Sequence, residues 1–180
     1  MLAIAIAAAS ALVALHTAPI APSLTRDITL TRVALHASVP IAPSVTSIDD
    51  RSAAAEHLAS AQRAVSVGAY DVARREFVMA AALDRDAGYL PLAASLGLAR
   101  VLYSQSYGRE AAQVLDRLAV EAAQKGDADV EARALVDAIW LNVDAGQRNQ
   151  ARSDALRLQM LLKDRQLSAA TIKIVKERYN

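Results

Sequence analysis

Three turns, and the residue that follows each of them, constrain this chain more than any other feature. Gly68, Ser106 and Gly146 stand 38 and 40 residues apart, and each is followed five residues later by an alanine: Ala73, Ala111 and Ala151. A recurrence of this length around a residue suited to a left-handed turn describes a helix, a turn and a second helix, used three times. A single helix pair cannot bury both of its faces, so such units must stack on one another. Composition points the same way, because 41 of the 180 residues are Ala and only seven are aromatic. A core of this kind is built from helices that approach closely rather than from large aromatic plugs. The expected fold is all-α, a short α-solenoid of about three antiparallel helix pairs plus a C-terminal capping helix.

Stop and start signals place the individual helices. Ser47 and Asp50 resemble a capping box that opens a helix running to about Val67, where Gly68 supplies a left-handed cap. A second helix takes Tyr70 to about Arg85 and is closed by Gly88. Pro91 is tolerated at the start of a third helix, which runs to about Ser104, because its missing N–H would be unbonded there. The fourth covers Arg109 to Lys125 and stops at Gly126; Asp127 caps a fifth that ends near Ala145. A sixth spans Gln147 to about Lys163, and Ser168 caps a last amphipathic helix, Ala169 to Tyr179.

The first unit reads Gly68-x-Tyr70-x-x-Ala73-x-x-x-Phe77-x-x-Ala80, with Asp84 at the exit. This resembles the second half of a tetratricopeptide repeat. The second unit keeps Leu98-Ala99-x-x-Leu102 and Ala111-x-x-x-Leu115, while the third keeps Gly146 and Ala151 but has Ala155 where the family carries a large residue. The resemblance covers residues 54–163, with a period longer than the family's and without its usual first-helix Trp, Leu-Gly and Tyr. It implies that the first helix of each pair lines a concave groove which binds a segment of a partner protein or peptide. In the register set by Ala73, Ala111 and Ala151, that groove holds Gln62, Arg100 and Trp140 at equivalent positions, with Val136 a turn earlier, Tyr103 nearly a turn later, and Arg133 beside them.

Trp140 can also be placed without the family. A helix advancing about 100° per residue puts it close to Asp129, Arg133 and Asp144, on the polar arc, while Ala132, Leu135 and Ile139 take a different arc and make core. An exposed Trp beside Arg and Tyr has the composition of an interface hot spot. The competing expectation is that Trp140 packs on the C-terminal helix through Ile172 or Val175. Arg100 with Arg133 could hold an acidic peptide or a chain-terminal carboxylate. Lys173, Lys176 and Arg178 read as a solvated basic face.

Ahead of the helices, residues 1–22 carry no charged side chain and read as an export signal or membrane anchor, with residues 2–22 the part expected to associate with a membrane. Residues 23–46 form a Pro/Ala/Ser/Thr-rich tether, and the helical domain is expected over 47–180. Val13 to Ser23 and Val33 to Ser44 are near copies of one another, a local duplication. It repeats His16 at His36, a pair that lacks the further ligands a metal site needs. Asp27 to Ala34 alternates weakly, as one strand would.

Lys plus Arg number 20 against 19 for Asp plus Glu, which argues against a nucleic-acid partner. No glycine-rich loop, zinc-spaced His pair or nucleophile elbow occurs, and Cys is absent, so neither catalysis nor a cofactor is expected. His57 on an Ala-rich helix reads as structural. The functional expectation is a non-catalytic adaptor outside the cytoplasm of a bacterium, in the periplasm or cell envelope. The alternative is a cytoplasmic structural domain that acts by self-association.

Overall fold

Five of the seven described helices are closed by the same hydrogen-bonded device. In the computed structural model, which describes residues 46–164 and 167–179, the helices are α1 (Thr46–Ser66), α2 (Tyr70–Asp86), α3 (Leu92–Ser104), α4 (Gly108–Lys125), α5 (Ala128–Asp144), α6 (Arg148–Lys163) and α7 (Ala169–Tyr179). Gly68, Gly88, Ser106, Gly126 and Gly146 all have φ between 68° and 84°. At each of the five, the next residue's N–H reaches back to a carbonyl in the last helical turn, as in Ala69 to Ala64, Tyr107 to Leu102 and Gln147 to Asn142. These are Schellman caps, and they reverse the chain so that each helix folds back on its predecessor. The left-handed turns expected at Gly68, Ser106 and Gly146 are therefore accompanied by matching ones at Gly88 and Gly126 between the pairs.

Ser106 is the one described non-glycine residue at positive φ, 68°. A side chain in that conformation costs about 1 kcal/mol that glycine does not incur. Ser106→Gly is accordingly expected to stabilise the protein by about 1 kcal/mol. A urea melt that shifts to lower denaturant would refute it.

The start signals also act locally. The Asp127 carboxylate accepts from the Val130 N–H at 2.9 Å, and Ser168 Oγ accepts from the Thr171 N–H at 3.3 Å. α1 begins at Thr46, one residue ahead of the expected cap at Ser47.

From α1 to α6 consecutive helices pack as antiparallel neighbours in an all-α stack, and α1, α3, α5 and α7 also contact one another in series. The odd-numbered helices thus make one layer and the more widely spaced even-numbered helices the other. Ala73 and Ala111 are fully buried and Ala151 nearly so, which is where the small residues let paired helices close up. Three apolar clusters follow in order along the stack, one centred on Phe77 and Ala80, one on Ala111 and Leu115, and one on Leu118, Leu135 and Leu158. Phe77 lies against α3 at Gly97, so tightly that a methyl group there would overlap its ring. In the third unit Ala155 is only partly buried, and Leu158, one turn on, fills the core instead.

α7 runs parallel to α5 and is fixed along its length. The Ser168 N–H donates to Asp129 at 2.8 Å, Leu167 and Val175 enter the last cluster, and Arg178 pairs with Asp137. It therefore occupies the place of the first helix of a fourth pair. The leader, the tether with its duplication and the strand at Asp27 to Ala34 lie outside the described residues. Among the described residues, no helix is long and apolar enough to cross a membrane.

Candidate functional site

The odd-helix layer leaves an opening between α3, α5 and α7. Its floor is apolar, made by Leu96 and Ala99 of α3, Leu115 of α4 and Leu141 of α5. Arg100, Tyr103, Asp137, Trp140 and Arg178 complete the lining around a volume of about 320 Å³, enough for one or two side chains. Trp140 and Tyr103 meet edge to face, with ring centroids 4.8 Å apart and planes at 64°. This arrangement sets the positive ring edge against the negative π face and braces both rings without covering them. Trp140 remains 55% exposed.

Of the six residues expected to line a groove, Arg100, Tyr103 and Trp140 come together here. Arg133 does not join them: it borders a neighbouring cleft with Arg51, Asp84, Tyr89 and Asp127. Gln62 is exposed on α1 and does not line the pocket. Val136 has to be corrected, because it is 5% exposed and belongs to the core cluster. The physical reason is α7, whose Val175 and Ile172 settle on the face of α5 that carries Val136 and Leu135. The same packing answers the competing expectation for Trp140, since the apolar residues of α7 cover Val136 and leave the indole open.

Two charged lining residues, Asp137 and Arg178, were missed. Arg178 is exposed with Lys173 and Lys176, as expected, but its guanidinium is also held by Asp137, one turn before Trp140. Asp137 and Trp140 share a helical face by their spacing, which was a usable signal. That Arg178 reaches this face depends on where α7 lies, and spacing within α5 says nothing of that. Arg100 makes no ion pair among the described residues. The rim thus carries one uncompensated guanidinium and one neutralised pair beside two aromatic rings. Such a site favours an apolar group that can sit on Leu96 and Leu141, attached to something acidic or rich in hydrogen-bond acceptors.

Several other titratable residues are tied into packing. His57 Nδ1 donates to the Glu76 carboxylate at 2.8 Å, joining α1 to α2, and this bond holds Glu76 below the usual carboxylate range. Between α4, α5 and α6 the fully buried Asn142 donates to Asp154 at 3.0 Å and to Asp116 at 3.3 Å. Burial, and then the charge of Asp154, push the Asp116 carboxyl up to about 6; burial also raises Asp154. Asp116 is the partner that takes up the proton, because Asp154 has the shorter bond from Asn142 and a second donor in Gln150 at 3.0 Å. Alongside, Arg157 bonds Glu131 and the Ala119 carbonyl, again linking the three helices. Among the described residues, no group of three or more acidic, His or Cys side chains is arranged to hold a metal ion.

The folded-state value of Asp116 lies above its ordinary 3.8, so the folded protein binds this proton more tightly than the unfolded chain does. The resulting stabilisation is complete below the ordinary value and is lost as the pH rises through about 6. Asp116 is partly exposed, so the effect is screened to about 1 kcal/mol. Thermal melts of the wild type should move upward between pH 7 and pH 5, and Asp116→Asn should flatten that difference. An unchanged pH dependence in the variant would remove Asp116 as its source.

No family model, curated protein or solved structure matches this chain.

Proposed function

We propose that the chain is a non-catalytic protein-interaction module of tetratricopeptide type, which receives a segment of a partner protein on its odd-helix layer. The observation that carries this reading is the half-exposed Trp140, braced by Tyr103 over an apolar floor and beside the unpaired Arg100. A large aromatic group left open at such a cost in exposed apolar surface is compensated when a partner covers it. The family reading draws on the recurring turns, the buried Ala73, Ala111 and Ala151, and the layer of odd helices in series. Catalysis is not part of the proposal. The acidic pair with raised pKa values serves to join three helices, and His57 is engaged by Glu76.

Trp140→Ala should weaken partner capture from envelope extracts by about 2 kcal/mol, roughly thirtyfold, with the far-UV circular dichroism unchanged. Capture that survives the substitution would overturn the site, and lost helicity would mean that Trp140 supports the fold. The apolar N-terminal segment suggests export or anchoring in the bacterial envelope. Sequencing the N-terminus of the protein from its native cells, together with its membrane partition, tests that address. A cytoplasmic, self-associating domain is the second reading. It is favoured by Leu156 and Met160, which stand 58% and 65% exposed on α6. Sedimentation that depends on protein concentration would support it.

A further inference from the structure

The even-helix layer carries a second surface, and the repeat itself shows what is missing from it. Between α2 and α4 runs a trough whose floor is Leu98 and Leu102 of α3 and whose walls are Val78 and Met79 of α2 and Val114 of α4. Val78 and Met79 are each about half exposed. Arg74, Arg75 and Arg117 stand on its rims, and among the described residues none of the three makes an ion pair. Arg85 closes one end by pairing with Glu121 at 3.0 Å.

The next interface along the stack, between α4 and α6, is filled. The offsets relating Ala73, Ala111 and Ala151 place Val78, Leu102 and Val114 where the following unit has Asp116, Asn142 and Asp154. In the filled interface those three polar groups bond to one another across the gap. In the trough their apolar equivalents leave an unfilled greasy channel. Arg117 likewise corresponds to Arg157, whose guanidinium is met by the buried Glu131. The position equivalent to Glu131 is Pro91, which offers no carboxylate, so Arg117 is left without one.

We propose that this trough is a docking surface for an acidic amphipathic helix of a partner protein. The partner's apolar stripe fills the channel over Leu98 and Leu102, and its carboxylates meet Arg117, Arg74 and Arg75 as Glu131 meets Arg157. A helix fits because the wall residues Arg74, Val78, Ala81 and Arg85 recur three and four apart on α2, the spacing of a groove into which a helical ridge packs. A flat lipid surface would reach Val78 and Met79 but not the recessed Leu102, which is 8% exposed.

The test uses the full chain and two fluorescent synthetic helices with the same leucine stripe, one flanked by glutamates and the other by lysines. Anisotropy should show the acidic helix binding at least about tenfold more tightly, with the preference lost at high salt. Arg75→Glu with Arg117→Glu, both on the surface, should reverse the preference, and Val78→Asp should abolish binding of either helix. Trp140→Ala, which lies outside the trough, should leave the affinity for both synthetic helices as it is while weakening capture at the odd-helix pocket. Equal affinity for the two helices, no binding of the acidic one, or loss of binding in Trp140→Ala would overturn the proposal. So would arginine-dependent binding to phosphatidylglycerol vesicles without peptide binding, which would make the occupant a membrane. Self-association abolished by Val78→Asp would make it a second copy and would overturn the proposal equally.

Discussion

Asn142→Leu is expected to destabilise the protein by about 3 kcal/mol at pH 7. The amide is fully buried and supplies the hydrogen bonds that let two carboxylates on different helices face one another. Leucine is close in volume, so packing changes little, and the loss comes from leaving Asp154 and Asp116 in mutual repulsion with fewer donors. The defect should shrink at pH 5, where Asp116 is protonated. The repeat also provides the rescue. Leu102 already stands at the equivalent position in the preceding unit, flanked by Val78 and Val114. The triple variant Asp116→Val, Asn142→Leu, Asp154→Val copies that arrangement and should recover most or all of the wild-type stability, since a buried polar cluster is seldom worth more than well-packed apolar groups. Urea titrations of the single and triple variants measure both effects. A single variant as stable as the wild type would show that the carboxylates find other partners.

The second large effect is expected at Gly97. Helix propensity alone predicts that Gly97→Ala stabilises α3 by about 1 kcal/mol. The structure predicts the opposite sign, because the added methyl would overlap the ring of Phe77, which is 4% exposed and held between α2 and α3. Overpacking of this kind costs about 1–3 kcal/mol beyond the propensity gain, so a net loss of roughly 2 kcal/mol is expected. Phe77→Leu would give the methyl room, and the double variant should be more stable than the sum of the two single changes implies. Additive losses would mean that the two side chains do not share that space.

These two sites mark what could be read from the residues in order and what could not. The helices and their ends were legible, because Schellman turns and the Asp127 cap are decided by residues within a few positions of each other. The polar cluster was not legible, since Asp116, Asn142 and Asp154 stand on three helices whose relative rotation no local pattern specifies. The odd-helix pocket was legible in part. Arg100, Tyr103 and Trp140 follow from repeat register, which carries one helix onto the next. Val136 fell out because α7 covers it, and Arg178 came in because α7 ends beside Asp137. Both depend on where α7 lies against α5, which no pattern within either helix specifies.

The order of packing along the stack bears on how this protein acquires its structure. Among the described residues, no helix makes extensive contact with one more than two places away. Native contacts therefore join residues near in sequence, and chains with such short-range topology close few long loops before they are rewarded. Folding should start wherever one pair first forms and spread outward by neighbouring additions, as a zipper closes in both directions. Hydrogen-exchange protection would then fall off from the central helices toward either end, graded along the chain rather than lost everywhere at once.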